Sequence, residues 1–189
     1  MAENKTIKKI LCIIDAQNDF IDGSLGGEEQ IAAVPRICET ITRGSWDMII
    51  TTQDTHDKDY LSTKEGQLLP IKHCILAEKG WFVNDEVTNS IINYLEKNNS
   101  TTFRKISKPT FGCPELVNII TSLGDDYEFE ITIVGFCTDI CVISNVLLLK
   151  AFLYNRADIK VIANACAGTK VYKHNEALSV MRSCQIEVV

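Results

Sequence analysis

Short runs of apolar and β-branched residues alternate along the chain with segments whose apolar residues recur at helical spacing. This pattern predicts strands at 9–14, 46–52, 101–107, 127–134, 159–162 and 185–189. It predicts helices at 28–43, 86–97, 114–123, 138–154 and 174–184. Pro35 interrupts the first helix or marks a new start. Strands that alternate with helices of this length indicate βαβ units, so we predict an α/β fold with a six-stranded, mostly parallel sheet and helices on both faces.

Polar or reactive residues follow four of the predicted strands at the point where each strand ends. They are Asp15, 53–54, 107–108 and 135–137. Because ligands of parallel sheets bind beyond the carboxyl ends of the strands, these residues mark a candidate site at one sheet edge. The long irregular segment 53–80 holds two of the three histidines, and an irregular stretch of this length usually carries function.

Composition narrows the class of protein. A chain of 189 residues with 46% apolar residues predicts one globular domain spanning 1–189. The net charge of -6 argues against nucleic-acid binding, because no basic stripe is available to neutralise phosphates. The start at 1–9 is polar and no apolar run approaches the ~20 residues of a membrane span, so we expect a cytoplasmic protein without membrane association.

The chain has eight cysteines, an even number that could form four disulfides. A cytosolic location would keep them reduced, and the absence of a CxxC pair argues against a structural zinc site. Six or seven are expected to be small buried residues, which leaves one or two for chemistry.

Cys141 is the cysteine with the most suggestive position. It follows a strand that ends at Val134, a glycine at 135 and a good N-cap residue, Thr138. In the first turn of a helix, free N–H groups and the helix dipole favour a thiolate and can bind an oxyanion. Spacing alone leaves open that Cys141 is a small core residue beneath a helix.

Four motifs carry a resemblance to a known family. Gly-Phe-Cys-Thr-Asp-Ile-Cys-Val at 135–142 resembles the nucleophile motif of the isochorismatase-like cysteine hydrolases, which include the nicotinamidases. Ile-Ile-Asp-Ala-Gln-Asn-Asp-Phe at 13–20 resembles the first-strand motif of that family. Thr-Gln-Asp-Thr-His at 52–56 and Leu-Pro-Ile-Lys-His-Cys at 69–74 are similar to its metal-binding stretches. The motifs occur in the order of the family, whose fold is a six-stranded parallel sheet flanked by helices.

The resemblance implies a catalytic triad of Asp15, Lys108 and Cys141. Lys105 is the alternative lysine, and Lys108 is preferred because it falls past the end of the predicted strand. The resemblance also implies a cis peptide bond between Phe136 and Cys137, and an oxyanion hole formed by the N–H groups of Cys137 and Cys141. Asp15 would act as the acid and base, while the lysine cation would keep the thiol ionised.

The resemblance also implies a metal site formed by Asp54, His56, Glu65 and His73. Two histidines and two carboxylates suit zinc, with iron or manganese as alternatives. Asp54 and His56 could instead only hydrogen-bond a loop. Many nicotinamidases place a further histidine ligand six residues after the first, where this chain has Ser62.

Three functions are compatible with these residues. The first is hydrolysis of nicotinamide to nicotinate and ammonia through a thioester on Cys141, a step of NAD salvage, by an enzyme expected to be a homo-oligomer. The second is a related amidase for another small carboxamide, carbamoyl or ureido compound. The third is a redox protein that uses Cys137 and Cys141. Phe20 and Trp81 are expected to line the substrate pocket, and Leu69 stands where many nicotinamidases have an aromatic residue.

Overall fold

The computed structural model describes residues 5–189 and contains a six-stranded, all-parallel sheet in the order β3-β2-β1-β4-β5-β6. The strands are β1 (Thr6–Ile14), β2 (Met48–Asp54), β3 (Thr102–Lys108), β4 (Tyr127–Phe136), β5 (Ala157–Ala167) and β6 (Glu187–Val188). The helices are α1 (Asn18–Ile21), α2 (Glu28–Arg43), α3 (Lys64–Leu68), α4 (Asp85–Lys97), α5 (Pro114–Thr121), α6 (Ile143–Leu153) and α7 (Val171–Ser183). The predicted fold class is confirmed.

Each predicted strand is present, but several ends differ from the prediction. β2 and β3 reach further at their carboxyl ends, so Asp54 and Lys108 are the last strand residues rather than the first loop residues. β5 extends over eleven residues instead of four. α2 runs without interruption through Pro35, which lies within the helix. The segment predicted to be irregular at 53–80 contains the end of β2 and the short helix α3.

The two faces of the sheet are covered by different helices. Side chains alternate along β1, so Leu11 and Ile13 pack on one face in a core with residues of α1, α2 and α4. Ile10, Cys12 and Ile14 pack on the other face with residues of α5, α6 and α7. Burial on both faces explains why Ile10–Ile14 of β1 and Met48–Ile50 of β2 are uninterrupted apolar runs rather than alternating ones.

One helical stretch, Thr138–Arg156, has the length and apolar character of a membrane span, with a mean hydropathy of 1.2. Its buried residues include Val146, Leu149 and Leu153, which belong to the core on one face of the sheet. A core helix passes the same test of length and composition, and the packing of this stretch over the sheet accounts for its apolar side chains.

The order of the strands changes direction at β1, which has β2 on one side and β4 on the other. A crevice opens beyond the carboxyl ends of the strands at such a switch point, because the connecting chains leave in opposite directions. Asp15 directly follows β1, and Cys137 directly follows β4. The topology therefore brings the motifs at 13–20 and 135–142 to the same crevice.

Candidate active site

Lys108 lies at the centre of the group of buried side chains at this crevice. Its Nζ is 2.7 Å from Asp15 Oδ2 and 3.5 Å from Cys141 Sγ. The lysine amine also donates to the carbonyl of Thr110 at 3.0 Å. Asp15, Lys108 and Cys141 are each at most 3% exposed. The three residues that the family resemblance implies as a triad are thus in mutual contact, with the lysine between the carboxylate and the sulfur.

The alternative lysine, Lys105, is not at this crevice. Lys105 is exposed, and its Nζ lies 4.8 Å from the ring centroid of Trp81. Lys108 pairs with Asp54 across β2 and β3, so its position at the end of the strand aims it at the neighbouring strand ends. Lys108 is the last residue of β3, so the expectation that it falls past the strand end was wrong.

The charges of the buried pair stabilise each other. Burial lowers the pKa of Lys108, but Asp15, Cys141 and Asp54 raise it by more, so the pKa lies above its ordinary value. Burial raises the pKa of Asp15, and the lysine cation offsets part of this rise. Lys108 is therefore a permanent cation, while Asp15 is a stronger base than an exposed aspartate.

The Cys141 thiol differs from the expectation of a lowered pKa. Burial raises its pKa well above the ordinary value, Asp15 raises it further, and Lys108 only partly opposes them. Removal of the thiol from water outweighs the favourable position at the start of a helical turn. The sulfur therefore needs a base to take its proton, and Asp15 is the adjacent carboxylate.

The turn that carries Cys141 is held by several polar contacts. β4 ends at a cis peptide bond between Phe136 and Cys137, and a π-helical turn, Thr138–Val142, precedes α6. Thr138 is not the N-cap that the sequence predicted: Cys137 precedes the turn, and the Thr138 hydroxyl is hydrogen-bonded to His174 Nδ1 at 2.8 Å. The Asn145 amide donates to the Cys141 carbonyl at 2.8 Å.

Beside this group lies a cluster of residues that could hold a metal ion. One ligand atom from each of Asp54, His56 and His73 lies within 4.8 Å of the others. Asp54 Oδ2 is 2.9 Å from His56 Nε2 and 3.4 Å from His73 Nε2. Glu65 Oε1 is 3.7 Å from His56 Nε2. Asp54 Oδ1 is also 3.8 Å from Lys108 Nζ, which connects the cluster to the group around Lys108.

The donor atoms fit a divalent transition metal. The Nδ1–H of His73 donates to the Ile71 carbonyl at 2.8 Å, which leaves the lone pair of Nε2 directed at the cluster. Glu65 Oε1 is buried and has no hydrogen-bond partner among residues 5–189. A buried carboxylate oxygen without a partner is costly unless a cation occupies the space that it faces. Nitrogen and carboxylate ligands of this kind suit zinc, iron or manganese.

Three supporting residues were not predicted from the sequence. The ring of buried Tyr60 lies 4.6 Å from that of His56 and 4.9 Å from that of His73. The Gln17 side chain bonds both the N–H and the carbonyl of Asp54. The Thr52 hydroxyl donates to Asp15 Oδ1 at 2.7 Å. Gln17 and Thr52 belong to the motifs at 13–20 and 52–56, and their polar character within buried segments was a signal of a supporting role.

A pocket of about 760 Å³ opens over the Asp15, Lys108 and Cys141 group and the candidate metal cluster. Its lining includes the Cys141 and Cys137 side chains, the metal cluster residues Asp54, Glu65 and His73, and the predicted pocket residue Phe20. Trp81 is not among the lining residues. Its indole donates to Thr55 Oγ1 at 2.9 Å, and its carbonyl accepts from the side chains of Gln17 and Gln53. Trp81 therefore supports the carboxyl end of β2 without lining the pocket.

Comparisons with known proteins identify the family of the chain. The profile of the Isochorismatase domain family matches residues 9–189. A nicotinamidase from Schizosaccharomyces pombe is 25% identical over an alignment of 205 residues, which covers 95% of this chain and 91% of that protein.

Solved structures share the fold. The crystal structure of a nicotinamidase/pyrazinamidase from Bacillus subtilis has a TM-score of 0.76 at 25% identity, and covers 96% of this chain and 99% of that chain. A pyrazinamidase from Pyrococcus horikoshii in complex with zinc has a TM-score of 0.70 at 22% identity, with 96% and 98% covered. The chain therefore belongs to the isochorismatase family, as a hydrolase that resembles the nicotinamidases.

Proposed function

We propose that the chain is a metal-containing cysteine amidohydrolase that hydrolyses a small aromatic carboxamide, nicotinamide in the first instance, to the carboxylate and ammonia. The observation that carries the proposal is the position of Lys108, which contacts both Asp15 and Cys141 and lies 3.8 Å from Asp54 of the metal cluster. The names of the Schizosaccharomyces pombe and Bacillus subtilis relatives support the choice of substrate.

In the first half of the reaction, Asp15 takes the proton of the Cys141 thiol as the sulfur attacks the amide carbon. The raised pKa of the thiol makes this proton transfer necessary, and the raised pKa of Asp15 makes it a suitable acceptor. Lys108 balances the negative charge that moves from the carboxylate to the sulfur. The N–H groups of Cys137 and Cys141 would stabilise the oxyanion of the tetrahedral intermediate.

In the second half, protonated Asp15 gives its proton to the departing nitrogen, so that ammonia leaves and a thioester on Cys141 remains. Asp15 is then a carboxylate again and takes a proton from the water that attacks the thioester. Collapse of this second intermediate breaks the C–S bond and releases the product acid, which ionises to the carboxylate, and Asp15 returns its proton to the sulfur to restore the thiol. Lys108 remains a cation throughout, because its pKa is raised by the groups around it.

Asp54, His56 and His73, with Glu65, would hold the metal ion. When bound, the metal would supply a Lewis acid that takes a ring nitrogen or an oxygen of the substrate and so orients the carboxamide. Phe20 lines the same pocket and its ring lies 5.7 Å from that of His73, so an aromatic substrate would contact both. The redox alternative leaves Asp15, Lys108 and this cluster without a role.

Ammonia release from nicotinamide tests the proposal. We expect turnover by the wild-type protein loaded with zinc, and its loss in Cys141→Ala. Cys38→Ala is the matched control, because Cys38 is a half-buried thiol of α2 outside the pocket. Full activity of Cys141→Ala would refute the assignment of the nucleophile. An inactive wild type with bound metal would direct the search to other carboxamides and to carbamoyl or ureido compounds.

A further inference from the structure

The outer wall of the pocket carries three lysines that the proposed reaction does not use. Lys64 belongs to α3, Lys170 precedes α7 and Lys173 lies in its first turn. All three side chains are exposed. Among residues 5–189, none of the three forms an ion pair with a carboxylate. Their charges are therefore available to a ligand.

The carboxylates near this wall already have interaction partners within the protein. Asp54 and Glu65, the acidic residues of the lining, face the histidines of the metal cluster. Asp139 accepts hydrogen bonds from the N–H and the hydroxyl of Thr169, at 2.8 and 2.6 Å. A positively charged pocket mouth on a chain of net charge -6 is a local departure from the overall charge, and such a mouth raises the local concentration of anions.

The size and character of the pocket add a second constraint. Its volume of about 760 Å³ lies in the range of pockets that enclose drug-sized ligands, which are much larger than a single-ring amide. The lining also contains apolar residues, among them Leu69, Ile71, Phe111 and Ile140.

We propose that the preferred substrate is an amide with an apolar body and an anionic group at the end away from the carboxamide. Lys64, Lys170 and Lys173 bind the anion while the carboxamide lies at Cys141. This inference rests on the proposed amidase function and narrows its substrate class. Nicotinamide would occupy only the inner end of the pocket and would be a substrate with a higher KM.

The test compares three probes that share the carboxamide: para-carbamoylphenylacetate, its neutral methyl ester, and para-carbamoylphenyl phosphate. We expect the wild-type protein to favour one or both anions over the ester by about tenfold in kcat/KM, which is the contribution of two exposed ion pairs. The preference should decrease with added salt, because these charges are exposed. The anion with the higher kcat/KM is the one that the lysines bind better.

The Lys170→Gln/Lys173→Gln variant should raise KM for the anions much more than for the ester, and so should lose most of this preference. Lys79→Gln/Lys97→Gln is the control, since it removes the same charge from exposed lysines outside the pocket and should keep the preference. Calorimetric binding of the probes to Cys141→Ala separates this inference from the amidase proposal, because it needs no turnover. Equal affinity for the anions and the ester, or an equal loss in the control variant, would overturn the anion site.

Discussion

At the scale of single residues, the site depends on buried charges that compensate one another. Lys108 is 2% exposed, and such a lysine is tolerated because Asp15 and Asp54 both lie within 4.0 Å of its Nζ. Removal of one member of a buried ion pair leaves the others uncompensated, which costs about 3–5 kcal/mol. The stability of this buried group therefore depends on the lysine that we propose to be catalytic.

Lys108→Ala is expected to lower kcat for amide hydrolysis by about 10²–10⁴-fold, because Asp15 loses the cation that orients it and balances its charge. Lys105→Ala should leave kcat within about twofold, since Lys105 is exposed and only covers the Trp81 ring. Steady-state kinetics of both variants, with circular dichroism to check folding, measure the difference. A greater loss in Lys105→Ala would contradict the assignment.

Thr52 offers a second test, because its hydroxyl donates to the Asp15 oxygen that does not contact Lys108. Thr52→Val keeps the shape but removes the donor, and should lower kcat by about tenfold or more with little change in KM. Thr52→Ser restores the hydroxyl and should recover most of the activity. Equal losses in the valine and serine variants would indicate a packing role instead.

At the scale of elements, the location of the site could be predicted from the sequence better than the contacts that support it. Polar residues after buried strands marked Asp15, Asp54 and Lys108, because a parallel sheet brings strand ends together. The carboxyl end of β5 was missed because Asn164 breaks its apolar run. Contacts such as that of Thr52 with Asp15 join residues far apart in sequence, and no local pattern encodes them.

The carboxyl end of β4 depends on Gly135, which has a φ of +118° and lies against β1. A Cβ at this position would overlap the backbone of Ile14, the residue before Asp15. Gly135→Ala should therefore destabilise the fold by more than about 3 kcal/mol and also abolish activity.

Gly124→Ala is the matched control for this prediction. Gly124 also has a positive φ, of +111°, but no atom lies within 4 Å of a Cβ placed there. We expect it to lose about 1 kcal/mol from backbone strain alone, with normal activity. Urea unfolding of both variants isolates the steric part of the cost. Equal destabilisation of the two variants would show that overlap of the new Cβ with β1 adds nothing to the cost of Gly135→Ala.

At the scale of the whole molecule, the site joins segments from most of the chain. The candidate metal ligands come from the end of β2 and the loop and helix that follow, while the proposed catalytic residues follow or end β1, β3 and β4. These groups meet only when the sheet has formed. A metal ion that binds the native cluster should therefore stabilise the whole fold rather than one loop.

Metal removal should consequently lower Tm as well as activity. Zinc at one hundred times its Kd would add about 2.7 kcal/mol to the free energy of unfolding, because it binds the native state. For a domain of this size that corresponds to a rise in Tm of roughly 5–10 °C, measured by scanning calorimetry with zinc and with a chelator. His73→Ala should lose the shift, whereas His174→Ala, which changes a histidine outside the cluster, should retain it. Because we predict a single domain over residues 1–189, we expect one unfolding transition, whose Tm shifts as a whole. A shift that persists in His73→Ala would place the metal elsewhere.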